Sequence, residues 1–509
     1  MEVSRSKRTA QNALMGFLYQ LVTMVLGFVS RIVFIRTIGI EYLGLNGIFG
    51  DVLSLLSMAD LGFSTAMAYS FYKPLADGNK DRIASLIAFY KKLYNMIALI
   101  VLGLGLLCVP FLRFIVKTNQ EIPYLEVYYL FSLAGVVTSY LFVYKTTLLT
   151  ADQKDFKVVR IRMIVNITKV LLQIAVLFIF RSYILYLAIG TLMGILNNVV
   201  ASKKAEKEYP YIKGAKADKN EDKALKTAIV DNMKSVFVYK LSTTVFSATD
   251  NIIISIVVST AAVGLYSNYL MLSQKLLLLE QIFFSAMTAS VGNVIAKETA
   301  VKKYQVFQSI QSVSLILCGV ITTIYCVLAD DFIGVCFGKD LTLPLLVVIA
   351  VTVNTYFSCA LQPLWLYRDA TGLYRRTKYV MLIAAIENII LSVILGKWLG
   401  IAGVIFASAI SRITTYVWYE PRLLFKEYFE KKAVKYYGEL ILNALLCVAA
   451  ILLLREATKG IVVSSWMGFI IKAAIVGISS AVLFMGIYFR TEGAQNIIIK
   501  VKSKVKGNE

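Results

Sequence analysis

The chain has 509 residues, of which 58% are hydrophobic and 17% charged, and it carries a net charge of +22 with a mean hydropathy of +0.71. This hydropathy is far above that of a soluble domain, so a membrane is the expected solvent for most of the chain. Histidine is absent and no two cysteines form a CxxC pair, which excludes a histidine-containing zinc site and disfavours any metal or redox centre.

Fourteen apolar stretches follow one another from Gln11 to Tyr488. A hydrocarbon core about 30 Å thick needs about 20 helical residues to cross it, and most of the stretches reach that length. In chain order, the predicted spans are 11–38, 43–70, 87–112, 124–150, 159–180, 183–201, 232–258, 262–295, 305–329, 342–367, 377–396, 399–420, 436–454 and 462–488. The sequence therefore predicts an all-α polytopic membrane protein with about 14 transmembrane helices.

Lysine and arginine are concentrated in the two tails and in the loops that follow even-numbered spans. Cytoplasmic loops carry an excess of these residues, so both termini are predicted to be cytoplasmic. The positive net charge then reflects membrane orientation and attraction to anionic lipid headgroups, and membrane lipids are expected partners. Nucleic acid is not, because no soluble domain exists to bind it.

The sequence repeats itself weakly. Spans one to six align with spans seven to twelve in a single register that places Gly44 on Gly264 and Asp60 on Glu280. Because six crossings return the chain to the same side, both copies run in the same direction. We expect two parallel six-helix lobes around a central cavity, plus two C-terminal helices. The predicted segments are an N-lobe (1–201), a cytoplasmic linker (202–231), a C-lobe (232–435), and two additional helices with a basic cytoplasmic tail (436–509).

Polar residues form a stripe along span seven. Lys240, Ser247 and the pair Asp250 and Asn251 recur at spacings of three and four residues, which places them on one helical face. The equivalent stripe in the first copy of the repeat includes Gln20 on span one. For the serines and threonines the favoured alternative is hydrogen bonding that fixes helix packing.

Charged residues inside the spans are harder to explain by packing. Twelve lipid-facing charges at about 3 kcal/mol each would cost roughly 36 kcal/mol, more than the net stability of about 5 to 15 kcal/mol of a typical protein. Most of them must therefore face the bundle interior, either paired or in water. Arg36 and Lys472, near span ends, are the expected exceptions whose long side chains reach the interface.

The cations outnumber the carboxylates, which favours a binding site for an anionic ligand such as a phosphate or pyrophosphate. Arg31 is the strongest candidate, because it lies on the striped face with no carboxylate three or four residues away. The candidate substrate-binding residues are Arg31, Lys240, Lys169, Arg412, Gln20, Ser247 and Asn251.

Three intramembrane carboxylates, Asp60, Glu280 and Asp250, are candidates for coupling to an H+ or Na+ gradient. Asp60 and Glu280 occupy equivalent positions in the two repeats. The alternative is a structural role as hydrogen-bond acceptors or salt-bridge partners. No catalytic residue, metal or other cofactor is expected.

Three passages resemble the Wzx-type polysaccharide flippases of the MATE-like (MOP) transporter superfamily and, more distantly, the MurJ group. They are Ser30 to Gly47 (SRIVFIRTIGIEYLGLNG), Leu148 to Lys157 (LLTADQKDFK) and Thr249 to Tyr269 (TDNIIISIVVSTAAVGLYSNY). Together with the fourteen-span layout, the likeness covers essentially the whole chain.

The resemblance implies a non-enzymatic transporter of a bacterial cytoplasmic membrane. It would move an undecaprenyl-pyrophosphate-linked oligosaccharide from the inner to the outer leaflet by alternating access, and other polysaccharide-assembly proteins are potential partners. Arg31 lies in the region where relatives carry cavity cations that attract the pyrophosphate. Spans thirteen and fourteen resemble the pair of helices that forms a groove for the lipid tail in MurJ-like members.

Two other functions remain open from the sequence. A MATE-type exporter of cationic drugs should have a net acidic cavity, which the excess of cations disfavours. A membrane-embedded glycosyltransferase or polymerase of the same pathway should carry a large external loop and an acidic catalytic pair. Asp330 and Asp331 are adjacent, but they lie in a short external loop that favours a solvated turn.

Overall fold

The computed structural model describes residues 5–57, 63–118, 121–214, 237–285 and 287–496. Within these ranges every regular element is helical, which confirms the predicted all-α class. Asp60, most of the predicted linker (215–231) and the end of the basic tail (497–509) lie outside the described residues.

The chain divides into two compact units, Met1–Gly264 and Leu265–Glu509. The helices of the first unit are α1 (Arg5–Thr37), α2 (Ile40–Leu56), α3 (Phe63–Ala76), α4 (Lys80–Cys108), α5 (Leu112–Ile115), α6 (Leu125–Ala151), α7 (Asp155–Phe180), α8 (Tyr183–Glu208), α9 (237–248) and α10 (Asp250–Val257). Those that follow are α11 (Thr260–Ser285), which begins at the end of the first unit, α12 (Thr288–Lys297), α13 (Ala300–Cys336), α14 (Leu345–Ala360), α15 (Gln362–Thr371), α16 (Tyr374–Leu399), α17 (Ile401–Thr414), α18 (Tyr416–Leu424), α19 (Val434–Ala457) and α20 (Trp466–Tyr488).

Ten helices of the described chain are long and apolar enough to cross a membrane, or up to 12 spans if each of two bent pairs is one span. The bent pairs are α11 with Ser290–Lys297, at 46°, and α14 with α15, at 43°. Residues 58–62 of predicted span two lie outside the described residues, and predicted span seven falls into α9 and α10 with a break at Thr249. The protein is therefore a multi-pass helical membrane protein, and its predicted spans seven, eight and ten are not single uniform helices.

In the first unit the strongest helix packing joins α6 with α8 and α4, and α1 with α7. The side chain of Asn12 on α1 clamps the loop between α6 and α7. Its Nδ2 donates to the Gln153 carbonyl at 3.1 Å, and its Oδ1 accepts from the Phe156 N–H at 2.8 Å. Gln153 adopts a left-handed backbone conformation (φ 56°), so this clamp holds a tight turn within the family-like passage Leu148 to Lys157.

A close backbone crossing joins α2 to residues 260–264 in the same unit. An added Cβ on Gly44 would lie 2.0 Å from the Thr260 carbonyl oxygen, and one on Gly264 would lie 2.2 Å from the Ile40 carbonyl oxygen. The two contacts are reciprocal, because the register that places Gly44 on Gly264 also places Ile40 on Thr260. Small residues allow helix backbones to approach this closely in membranes. The crossing is therefore symmetric in the predicted register, since each glycine faces the residue that is equivalent to the other glycine's neighbour.

In the second unit α13 is the central helix, and α14, α19 and α20 all pack against it. A buried aromatic cluster joins its first half to α15, the π-helical turn Phe425–Phe429 and α19. Phe307 lies at the centre, with its ring 5.1 Å from that of Tyr367, 5.4 Å from Phe425 and 6.0 Å from Tyr436.

The two C-terminal helices are bound to α13 by buried contacts. Asn443 on α19 is fully buried, and its Nδ2 donates to the Leu315 carbonyl of α13 and to the Tyr488 hydroxyl of α20. The Phe484 ring fills the space that a side chain at Gly319 would occupy. These helices lie outside the predicted repeat, and their place in the fold follows from this packing on α13.

We expect Gly44→Ala to lower the melting temperature, because its methyl group would occupy the position of the Thr260 carbonyl and separate α2 from residues 260–264. The cost expected for such overpacking is about 1 to 3 kcal/mol. Gly264→Ala should act in the same way. Gly50→Ala on the same helix is the matched control, because its Cβ would meet no heavy atom within 4 Å. Equal melting temperatures of the Gly44 and Gly50 variants in detergent would contradict this account.

Candidate functional site

The predicted site residues are divided between the two units. Gln20, Arg31, Lys169, Lys240, Ser247, Asp250 and Asn251 lie in the first unit, and Glu280 and Arg412 lie in the second. Asp60 is outside the described residues. Each group is described within its own unit.

Arg31 lies on α1 among aromatic residues. Its side chain is half-buried. The neighbouring Ser30 is buried and lies within hydrogen-bonding reach of the Tyr186 hydroxyl on α8. This hydroxyl also interacts electrostatically with Arg31. Phe34, one turn along α1, contacts Tyr186 edge-on, with the ring centroids 4.9 Å apart. The guanidinium is therefore held beside a surface of aromatic rings and hydroxyl groups, where an anion can be both attracted and hydrogen-bonded. Gln20, about three turns earlier on α1, is also half-buried.

Two lysines inside the spans of the first unit have no ionic partner among the described residues. Lys169 on α7 and Lys240 on α9 are both half-buried, and no described carboxylate lies within 4.0 Å of either ammonium group. Lys145, closer to the end of its helix, is paired with Glu206 at 2.6 Å. Lys169 and Lys240 are therefore intramembrane positive charges that an added anionic ligand would compensate.

The hydroxyl groups of the span-seven stripe are satisfied within α9. Ser247 is exposed and its Oγ donates to the Thr243 carbonyl at 2.9 Å, while the Thr243 hydroxyl donates to the Lys240 carbonyl at 2.8 Å. Bonds of this kind to the preceding turn are common for serine and threonine in membrane helices. The favoured alternative from the sequence was that these hydroxyl groups bond to a neighbouring helix. Through the bonds described here, they bond to α9 itself instead.

Asn251 is placed in a pair that the sequence does not reveal. It is buried on α10, its side chain hydrogen-bonds Asp51 of α2, and its Nδ2 would lie 3.6 Å from a Cβ on Gly47. The missing side chain at Gly47 leaves room for this amide. The pair satisfies an intramembrane carboxylate with a neutral donor, next to the Gly44 crossing. Asp250, the adjacent residue, is half-buried at the first position of α10.

Glu280 on α11 is more deeply buried than Asp250, with 1% of its surface exposed. Ser314 Oγ lies 3.4 Å from its Oε1 but only 3.1 Å from the Cys359 carbonyl, and a hydroxyl group donates one proton. Glu280 Oε2 has no hydrogen-bond partner among the described residues. This carboxyl group is thus poorly satisfied, which suits a group that binds a proton or a cation.

Arg412, Glu387 and Lys472 are charged residues of the second unit that bond to side chains. Arg412 Nη1 donates to the Ser358 hydroxyl at 3.1 Å, and Glu387 accepts from the Thr414 hydroxyl at 2.6 Å. Lys472 on α20 pairs with Asp331 at 2.8 Å and so joins α20 to α13. Sequence spacing does not show a carboxylate that another helix supplies.

The adjacent pair Asp330 and Asp331 is engaged on two different helices. Asp330 accepts a hydrogen bond from the Tyr269 hydroxyl of α11 at 2.6 Å, whereas Asp331 binds Lys472 of α20. Each carboxylate therefore has a structural partner. Both residues lie within α13, so the expected solvated turn is not formed, because the helix continues to Cys336. Their separate structural partners disfavour an acidic catalytic pair.

An ionic cluster lies where α6, α7 and α8 end or begin. Lys154 Nζ is 2.7 Å from Asp152 and 3.0 Å from Glu208, while Lys157 binds the other oxygen of Glu208 at 2.6 Å. Burial opposes the charge of Lys154, but the hydrogen bonds that its ammonium donates to Asp152 and Glu208 more than offset burial and raise the pKa of Lys154. The Tyr209 hydroxyl completes the cluster by donating to Asp152 at 2.6 Å. Sequence analysis missed Glu208 and Tyr209, because each is far along the chain from the loop residue that it binds.

No protein-family model and no curated protein sequence matches the chain. Among solved structures, the lipid II flippase MurJ in an inward closed conformation matches with a TM-score of 0.66 and 17% identity, covering 93% of this chain and 99% of that one. An inward-facing MATE multidrug-resistance transporter of the MOP superfamily matches with a TM-score of 0.61 and 12% identity, covering 80% and 97%. A MOP-superfamily transporter from Pyrococcus furiosus matches with a TM-score of 0.55 and 12% identity, covering 84% of this chain and 97% of that one. The chain has the fold of these transporters.

Lys169→Met should raise the melting temperature in detergent, because it removes a half-buried charge that no described carboxylate compensates. A gain of about 0.5 to 2 kcal/mol is typical of such changes. The matched control is Lys145→Met, which breaks the pair with Glu206 and should lower stability by about 1 kcal/mol. A loss of stability in Lys169→Met as large as that in Lys145→Met would show that Lys169 is needed for packing.

Proposed function

We propose that the protein is a flippase for an undecaprenyl-pyrophosphate-linked oligosaccharide repeat unit, which it moves from the inner to the outer leaflet of a bacterial cytoplasmic membrane for polysaccharide export. The observation that carries the proposal is the combination of this fold with intramembrane lysines that lack a described ionic partner. The fold match to a lipid II flippase over 93% of the chain supports a lipid-linked substrate.

The physical reason is the cost of moving a head group through hydrocarbon. A pyrophosphate and several sugars lose their hydration in the bilayer core, so a protein must replace both the charge compensation and the hydrogen bonds. Arg31, Lys169 and Lys240 supply the compensation in this scheme, and Gln20 supplies hydrogen bonds. The isoprenoid tail stays in lipid throughout, and no covalent bond changes. Alternating access requires the two repeats to rock about the bound head group.

A MATE-type multidrug exporter is the second candidate, because an inward-facing MATE transporter shares the fold with a TM-score of 0.61. Such an exporter binds cationic compounds and needs unpaired acidic groups. In the described part of the first unit, the Asp51 carboxylate is satisfied by a hydrogen bond from Asn251, whereas Lys169 and Lys240 have no carboxylate within 4.0 Å. This arrangement favours an anionic substrate over a cationic one.

We also propose that Glu280 couples transport to an H+ or Na+ gradient. Its burial and its unpartnered Oε2 support this role, since a cation or proton there would satisfy the carboxyl group. Asp60 and Asp250 stay candidates from the sequence alone.

We expect Arg31→Ala and Lys240→Ala each to reduce translocation of a labelled undecaprenyl-pyrophosphate oligosaccharide in proteoliposomes by about tenfold or more, since a charge-assisted hydrogen bond to the substrate is lost. Membrane insertion and the melting temperature should stay close to those of the wild type. Arg36→Ala is the matched control, because Arg36 is exposed further along α1. Unchanged transport in both variants would place the binding site elsewhere, and efflux of a cationic dye instead would favour the exporter.

Glu280→Gln should abolish the acceleration of translocation by an imposed H+ or Na+ gradient while leaving gradient-free equilibration intact. Glutamine keeps the size and removes the titratable charge. Glu387→Gln is the matched control on α16, since the Glu387 carboxylate is already bonded to Thr414. If the Glu280 variant, alone and combined with Asp60→Asn, responds to the gradient as the wild type does, Glu280 is structural and the coupling proposal fails.

A further inference from the structure

The second unit contains a cavity of about 380 Å³ where α13 and α19 begin and α20 ends. The cavity reaches along α19 from Lys435 to Leu442, a rise of about 10 Å for seven residues. On the predicted orientation this is the cytoplasmic end of the spans. A cavity at this depth extends from the lipid headgroup region to the edge of the hydrocarbon core.

The inner end of the cavity is built on fixed side chains. Leu315 and Tyr488 line it, and both are tied to Asn443 through the two hydrogen bonds that join α13, α19 and α20. The inner end of the cavity therefore lies at a junction where hydrogen bonds join three helices.

The segment after α20 closes one side of the cavity. Thr491 Oγ lies 3.1 Å from Ser312 Oγ on α13, and a Cβ on Gly493 would lie 2.2 Å from the Gln308 carbonyl oxygen. Glu492 Oε2 accepts from Gln308 Nε2 at 2.9 Å and from Lys435 Nζ at 3.1 Å. This segment is thus held on α13, and both Lys435 and Glu492 have their partners.

Two further charges line the same cavity without a described ionic partner. Glu439 is half-buried on α19, and no described cation lies within 4.0 Å of its carboxylate. Arg490 is exposed at the rim, and no described carboxylate lies within 4.0 Å of its guanidinium. They have opposite signs, yet they are not paired with each other. One cavity therefore presents an acceptor for a cation and a donor for an anion.

Apolar side chains continue from these charges into the membrane. Leu442 and Ile487 line the cavity, and 54% and 39% of their surfaces are exposed in the isolated chain. An occupant that lies against all four side chains needs a positive group, a negative group and a hydrocarbon chain.

We propose that this cavity binds a phosphatidylethanolamine molecule, with its ammonium on Glu439, its phosphate on Arg490 and one acyl chain against Leu442 and Ile487. A primary ammonium donates charge-assisted hydrogen bonds to a carboxylate, whereas the quaternary ammonium of phosphatidylcholine has no N–H to donate. Phosphatidylglycerol lacks the cation altogether. This lipid is a resident of the second unit and is distinct from any transported substrate.

Native mass spectrometry of the full chain in detergent, with added phosphatidylethanolamine, phosphatidylcholine or phosphatidylglycerol of identical acyl chains, tests the proposal. We expect the wild type to bind phosphatidylethanolamine about tenfold more tightly than either of the others, the effect of about one charge-assisted hydrogen bond. Glu439→Gln should remove this preference, so that the variant binds phosphatidylethanolamine and phosphatidylcholine with about equal affinity. Arg490→Gln should weaken phosphatidylethanolamine and phosphatidylcholine alike, since both carry the phosphate.

Glu456→Gln is the matched control. Glu456 is exposed near the other end of α19, and its substitution makes the same change in charge. It should keep the wild-type preference. The melting temperature of each variant without added lipid separates loss of binding from loss of the fold. Equal affinity of the wild type for all three lipids, or a folded Glu439→Gln that keeps the preference, would overturn the proposal.

Discussion

A bilayer offers no hydrogen bonds, so every polar group within a span must be satisfied by the protein, by trapped water or by a ligand. Most of the packing described here meets that demand. Asn443 ties three helices together, Asn251 hydrogen-bonds Asp51, and Arg412 binds Ser358. At Lys169 and at Glu280 Oε2 the described residues do not meet this demand, so each charged group is available to a ligand, an ion or a proton. The candidate site is therefore defined by incomplete satisfaction of intramembrane charges rather than by charge alone.

The helical fold could be predicted because its signal is local. A run of about 20 apolar residues is visible in any window of that length, and the positions of α4, α6, α7, α8, α13, α16, α19 and α20 follow from it. The breaks were harder to predict. Span ten bends after Ala360, where Pro363 in the first turn of α15 is a sequence sign of interruption. Span seven divides at Thr249, where no proline or glycine lies nearby and the usual signs are absent.

The sequence predicts which types of residue form the candidate site, but it does not predict which charged side chains pair with one another. Lys472, Lys240 and Lys169 are each a lysine within an apolar run, with no carboxylate three or four residues away. Lys472 finds Asp331 on a helix far away in the chain, and contacts of that separation leave no trace in local spacing. The reciprocal contacts of Gly44 and Gly264 are an exception. A repeat that aligns these two glycines also predicts that they have equivalent environments, and the backbone crossing meets that expectation.

Depth within the span separates the paired lysines from the unpaired one on α7. Lys472 is six residues into α20, and Lys145 is six residues before the end of α6, so each lies about 9 Å along its helix from an end, within reach of Asp331 or Glu206. Lys169 is fourteen residues into the 26-residue α7, beyond the reach of carboxylates at either end. A charge at that depth is costly for a protein that needs only stability. Its presence is explained if the missing counter-charge arrives with an anionic ligand, as in the function proposed above.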